Sequence, residues 1–145
     1  QVLRDAGLVG TYFPEDSRIY LEKAVPRTKA SLSNSLTMSK LNVFLRNTYF
    51  GEVTEATNNL ALQQEFSSKV ITDLSVSYKF TDAITLTLGA NNLLDIYPDR
   101  AEQDLDLTTE GDQNNRSGGR FDWSRRAQQF GIGGRYAFAR FALTL

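Results

Sequence analysis

The feature that most constrains this chain is the alternation of apolar and polar residues from Val70 to Phe80. Successive side chains of a β-strand point to opposite faces, so this period of two predicts a strand with one apolar and one polar face. The apolar set is Val70, Leu74, Val76, Tyr78 and Phe80, and the polar set is Asp73, Ser75, Ser77 and Lys79.

The same pattern recurs in four more segments, and short turns join some of them. Ser39-Lys40 and Thr81-Asp82-Ala83 are the predicted tight turns. The sequence therefore predicts an all-β fold of about five antiparallel, up-and-down strands. The further predicted strands are Ala30 to Thr37, Leu41 to Tyr49, Ile84 to Asn91, and about Phe130 to Leu145.

The remaining segments are long and lack a period. Residues 1–26 are predicted as a loop with a short helix, and Thr54 to Ser68 as a polar connecting loop. Asp95 to Gln129 collects many of the charged residues. Long structureless connections are uncommon inside a compact soluble domain but ordinary on the outer side of a membrane β-barrel.

Composition excludes several classes of function. The formal net charge is -1, so no global field would attract nucleic acid, and none is predicted as a partner. The chain has no cysteine and no histidine, which removes thiol chemistry, common zinc sites and histidine acid-base catalysis. We therefore predict a protein that is not an enzyme and needs no cofactor. No apolar run approaches the roughly 20 residues of a membrane helix, whereas a membrane barrel stays compatible with the pattern.

The polar faces of the predicted strands carry mostly Ser, Thr, Asn and Gly, which is typical of a water-filled barrel lumen. Four charged residues are predicted to face that lumen: Arg46, Asp73, Lys79 and Arg140. Aromatic residues near strand ends are predicted to lie at the membrane interface: Tyr49, Phe50, Tyr97, Tyr136 and Phe138. Aromatic residues that fill the core of a soluble barrel are the alternative.

The second half of the long charged segment combines arginines with aromatic rings. This patch is a candidate site for an anionic ligand. Its residues are Arg116, Arg120, Phe121, Trp123, Arg125 and Arg126. Alternatively, these arginines pair with the acidic half of the same segment. The acidic residues there miss the spacing of a calcium-binding loop, so a solvated acidic loop is predicted and no metal site. A calcium site is the alternative.

Several segments of the sequence resemble a known protein family. The first pair of segments resembles the penultimate hairpin of TonB-dependent receptors. It consists of Val70-Ile71-Thr72-Asp73-Leu74-Ser75-Val76-Ser77-Tyr78-Lys79-Phe80, followed by Leu86-Thr87-Leu88-Gly89-Ala90-Asn91-Asn92-Leu93-Leu94-Asp95-Ile96-Tyr97-Pro98. Gly89 to Asp95 is the most specific part. Ala24 to Lys29 and Leu45 to Thr54 are similar to late barrel strands of the same family.

The resemblance implies a role in transport. These receptors are barrels of roughly 22 strands closed by an N-terminal plug, so this chain would be the last five strands. It would lie in the outer membrane of a Gram-negative bacterium, in contact with lipid, the plug and the remaining strands. Through the absent N-terminal region the whole protein would engage a TonB-type energy-transducing protein and import a siderophore, vitamin or oligosaccharide.

One departure concerns the end of the chain. Barrels of this family usually finish on an aromatic residue, whereas this chain finishes on Leu145. A soluble β-barrel that binds a small ligand in its mouth is the main alternative, because alternation alone does not separate the two. A passive porin is a third.

Overall fold

The computed structural model describes residues 2–5, 7–55, 63–101, 122–124 and 126–144. The chain divides into two compact units. One unit comprises Gln1–Arg27, Gly51–Ser68 and Pro98–Phe130, and the other comprises Thr28–Phe50, Lys69–Tyr97 and Gly131–Leu145.

Three helices and seven strands are formed in the described residues. The helices are α1 (Val2–Asp5), α2 (Val9–Tyr12) and α3 (Glu15–Lys23). The strands are β1 (Lys29–Met38), β2 (Leu41–Phe50), β3 (Val53–Glu55), β4 (Gln64–Phe66), β5 (Lys69–Lys79), β6 (Ile84–Asn91) and β7 (Tyr136–Leu143).

The second unit is a five-stranded antiparallel sheet in the order β1-β2-β5-β6-β7. The all-β antiparallel fold predicted from the alternation is confirmed. Met38 pairs with Leu41, so the turn between β1 and β2 holds only two residues, and its first residue, Ser39, has a φ of 51°. The last strand begins at Tyr136, later than predicted, because the glycine-rich stretch before it leaves the sheet.

Strand register sorts the side chains of this sheet into two faces. On one face, Leu45 opposes Leu74, which opposes Ala90. On the other face, Arg46 opposes Asp73. Only Thr48 among the described residues of the five strands is buried. The sheet therefore presents both faces outward, one apolar and one polar.

The first unit contains the buried hydrophobic residues. β3 and β4 pair as a two-stranded antiparallel sheet. Val53 and Phe66 are direct partners in it, and both are almost completely buried. Ala24 and Ala127 pack with them, and Tyr20 of α3 lies against this cluster.

The first unit has more helices and strands than were predicted from the sequence. Thr54 to Ser68 was predicted as loop, yet it contains most of β3 and β4, each of three residues, too short for a period of two to be recognised. Residues 1–26 hold three helices, of which the nine-residue α3 is anchored by buried Ile19. None of the helices in the described part of the chain combines the length and apolarity that a membrane-spanning helix needs.

Candidate functional site

The apolar face of the five-stranded sheet carries no charged side chain in any of its strands. Several of its large residues are open to solvent in the structure, including Leu32 (64% exposed), Leu88 (55%) and Phe141 (65%). Two of its polar residues satisfy each other, because Thr72 donates a hydrogen bond of 2.7 Å from Oγ1 to Oδ1 of Asn47, its partner in register. A face of this kind is compatible with an apolar surrounding.

The polar face is organised around one ion pair. Arg46 of β2 and Asp73 of β5 are opposite each other. Nε and Nη2 of Arg46 donate to Oδ2 of Asp73 at 3.0 and 2.6 Å. The other carboxylate oxygen, Oδ1, accepts the backbone N–H of Asn92 at 2.9 Å. Asp73 is thus held on both sides, with 14% of its side chain exposed against 47% for Arg46.

Cross-strand hydrogen bonds also join neighbouring strands on this face. The hydroxyls of Ser31 and Thr48 lie 3.1 Å apart, and those of Ser77 and Thr87 lie 2.8 Å apart. Such pairs stabilise neighbouring strands and leave a surface that water or a polar solute can wet.

A tight elbow follows β6, and two residues with positive φ form it, Asn92 (50°) and Asp95 (58°). Asn and Asp tolerate this conformation because their side chains bond nearby backbone groups. Nδ2 of Asn92 donates to the carbonyl of Ile96 at 2.7 Å, and its Oδ1 accepts the N–H of Ile96 at 2.9 Å. Oδ1 of Asp95 accepts the N–H of Arg135 at 2.7 Å, which ties the elbow to the segment entering β7.

Two glycines permit close packing beside this elbow. Gly134 has a φ of 66°, and a Cβ there would lie 2.7 Å from Cζ of Tyr97. Gly89 opposes Phe138 in register, and a Cβ on Gly89 would overlap the Phe138 ring. The ring of Tyr136 stacks on that of Phe138 with centroids 6.4 Å apart.

The structure brings some of the predicted lumen residues together. Arg46, Asp73, Lys79 and Arg140 all lie on the polar face by register. Arg46 and Asp73 form the ion pair described above. Lys79 pairs instead with Asp82 in the following turn, with Nζ and Oδ1 2.9 Å apart. This ion pair lowers the pKa of Asp82 from its usual value of 3.8, first through the hydrogen bond from Lys79 and then through its charge.

The predicted interface aromatics divide between the two faces. Tyr49 lies on the apolar face opposite Val70. Phe50, Tyr136 and Phe138 lie on the polar face, and Nζ of Lys29 sits 4.8 Å from the centroid of the Phe50 ring. Tyr97 lies beyond the strands, beside the elbow. The interface assignment stays a prediction for Tyr49 and Tyr97. Phe50, Tyr136 and Phe138 share the face of Arg46 and Arg140, and they would not contact lipid if that face lines a lumen.

Most of the predicted ligand-binding patch lies outside the described residues. The residues outside are Arg116, Arg120, Phe121 and Arg125. Trp123 is half-buried. Arg126 is exposed, and its guanidinium carbon lies 5.0 Å from the centroid of the Tyr20 ring. Its role in binding stays a prediction. No group of three potential metal ligands occurs in the part of the chain that the structure describes.

Sequence reasoning missed the geometry of the elbow and of Phe138. The run from Gly89 to Asp95 was recognised only as a family-like motif, without a structural reason for its residues. A signal was nevertheless present, since a glycine inside a strand often marks the close approach of another group. Comparison of the chain with known protein families, curated proteins and solved structures finds no match.

Proposed function

We propose that this chain is the C-terminal part of an outer-membrane active transporter of the TonB-dependent receptor type. The observation that carries the proposal is the contrast between the two faces of the five-stranded sheet. One face is apolar, uncharged and exposed, and the other is polar with an ion pair at its centre. Transmembrane barrels alternate lipid-facing and lumen-facing residues in this manner.

Strand length supports the same assignment. β1 and β2 each have 10 residues and β5 has 11. A tilted strand needs about 9–11 residues to cross the hydrocarbon core. β6 and β7 are a little shorter, with eight residues each.

The energetics of the apolar face also favour a lipid environment. Each Å² of apolar surface left in water costs about 25 cal/mol. A soluble antiparallel sheet avoids this cost by packing one face on a second layer. Here side chains such as Leu36 and Leu88 are more than half exposed. Lipid would cover them, and further strands would pair with the open edges of β1 and β7.

In this proposal, the whole protein takes up a scarce nutrient with energy from an inner-membrane complex. The plug, the missing barrel strands and the energy-transducing protein are its partners. The long connecting segments Thr54 to Ser68 and Asp95 to Gln129, the second of which includes Trp123 and Arg126, contribute to ligand capture. The protein performs no chemical conversion.

The first test is membrane fractionation of the full-length protein that carries this chain, followed by gel migration of boiled and unboiled samples. A folded outer-membrane barrel migrates differently before and after heating. We expect recovery in the outer-membrane fraction and a heat-dependent shift. Recovery in the soluble fraction would refute the proposal and favour a soluble ligand-binding module.

A matched pair of variants tests which face contacts lipid. Leu36 lies on the apolar face and Ser35 beside it lies on the polar face. A lysine on the lipid face near the middle of the bilayer costs about 2–4 kcal/mol. Leu36 lies two residues from the end of β1 and the cost falls towards the interface, so we expect Leu36→Lys to lower the free energy of unfolding in lipid vesicles by about 1–2 kcal/mol. Ser35→Lys should change it little. Equal effects of the two substitutions would contradict the assignment of faces.

A further inference from the structure

The polar face of the five-stranded sheet has a charge that the composition of the whole chain conceals. The chain as a whole has a net charge of -1. Register assigns five basic residues to the polar face and only one acidic residue, Asp73, which gives the strands of this face a net charge of +4. The basic residues are Lys29, Arg46, Lys69, Lys79 and Arg140.

These basic residues are distributed along the strands. Lys29 and Lys69 flank Phe50 in one row of the sheet. Arg46 lies four residues further along β2. Arg140 belongs to a row another four residues on, because it opposes Thr87, which opposes Ser77, which opposes Asn42. Lys79 lies two residues beyond Ser77 at the far end.

The spacing decides how the charges act. Four residues along a strand span about 14 Å. At physiological salt the Debye length is about 8 Å, so each cation acts separately. At 0.01 M salt it is about 30 Å, so their fields overlap. Asp73 offsets Arg46 and Asp82 offsets Lys79, whereas Arg140 makes no ion pair with any described residue.

We propose that this face is a track for anionic solutes, with Arg140 as its most available cation. The inference rests on the proposed function, because it takes the polar face to be the lumen wall, along which a solute would pass beside the plug. Successive positive charges stabilise a negatively charged solute at several positions along the face. Phe138 lies in the row between those of Arg46 and Arg140, and Tyr136 lies in the row of Arg46. Their stacked rings add a surface that can contact the apolar part of the solute. This set is separate from the arginine-rich segment predicted from the sequence.

The test uses the full-length protein in a neutral maltoside detergent and two fluorescent probes, pyranine, an aromatic trisulfonate, and proflavine, an aromatic cation. Fluorescence anisotropy is measured against empty micelles at 10 and 150 mM salt. We expect pyranine to bind, and its affinity to fall strongly at the higher salt concentration. We expect proflavine not to bind. Equal binding of the two probes would overturn the inference.

Substitutions then locate the site. Loss of one charge near the probe should weaken binding about three- to tenfold at low salt, so Arg140→Gln should do this and Arg140→Glu should do more. Lys23→Gln removes the same charge from α3, outside the sheet, and should weaken binding less than Arg140→Gln does. An affinity that is insensitive to Arg140→Glu, or equally sensitive to Lys23→Gln, would refute the track.

The two proposals fail in different ways. Recovery of the full-length protein in the soluble fraction would defeat the transporter proposal, and with it the lumen on which the track depends. A protein that resides in the outer membrane but shows no preference for pyranine would refute the anionic track alone.

Discussion

Replacing Gly89 by alanine should destabilise the sheet through one contact, that with the ring of Phe138. The two residues are direct partners across β6 and β7. A methyl group on Gly89 would lie 2.8 Å from Cε1 of Phe138, closer still to Cζ, and 3.0 Å from the carbonyl oxygen of Leu74. Carbon atoms in normal contact are about 3.5–4.0 Å apart, so the ring must move by roughly 1 Å.

The magnitude follows from what the ring can do. Overpacking of this size typically costs about 1–3 kcal/mol. The stacked ring of Tyr136 blocks one direction of movement. The alanine also restricts the unfolded chain. This stabilises the folded state by about 0.4–1 kcal/mol where the native backbone is not left-handed. Gly89, unlike Gly134, is not left-handed. We expect a net loss of about 1–2 kcal/mol.

A double-mutant cycle with Phe138→Ala isolates the contact. The free energy of unfolding is measured by urea titration of the full-length protein in phospholipid vesicles, with the folded fraction read from heat-dependent gel migration. In the Phe138→Ala background, Gly89→Ala should be neutral or slightly stabilising. If it costs the same in both backgrounds, the ring is not the obstacle, and the carbonyl of Leu74 must be.

Three further predictions test the ion pairs and the elbow. Asp73→Asn should lower the free energy of unfolding in the same urea titration by about 1 kcal/mol, since Arg46 is half exposed. Adding Arg46→Gln should lower it little further. Asn92→Ala should lose about 2–4 kcal/mol, from its left-handed backbone and two hydrogen bonds, whereas Asn92→Gly keeps the backbone and should lose less; equal losses would contradict this. Because Lys79 lowers the pKa of Asp82, their pair stabilises the fold above pH 3.8 and is lost as the pH falls through the lowered value. Stability measured from pH 6 to 2 should therefore fall less with pH in Asp82→Asn than in the parent protein.

The strands of the large sheet could be predicted because their period of two runs over eight residues or more. In β5, every second residue from Val70 to Tyr78 is apolar except Thr72, and that threonine is satisfied by Asn47 across the strand. Both tight turns were also predictable, since Ser39-Lys40 is flanked by alternating segments on both sides. The faces of Arg46 and Asp73 followed from the same period.

The rest of the structure depends on contacts that a period does not encode. β3 and β4 have three residues each, and Val53 is buried because it meets Phe66 and Ala127 from distant parts of the chain. Phe138 was assigned from its position near a strand end, although its environment is set by its partner Gly89. The positive charge of the polar face needed the register of all five strands.

The geometry of the elbow explains why the run from Gly89 to Asp95 gives information about the fold and none about a ligand. Gly89 makes room for a ring, Asn92 holds a left-handed turn through its own side chain, and Asp95 binds the segment that enters β7. The three residue types are therefore explained by ring packing, by a left-handed backbone and by a hydrogen bond to the backbone. A resemblance in this run therefore bears on how the last strands are joined. Under the proposed function, a solute would be recognised by groups such as Arg140, which lies on the polar face and forms no ion pair with the described residues.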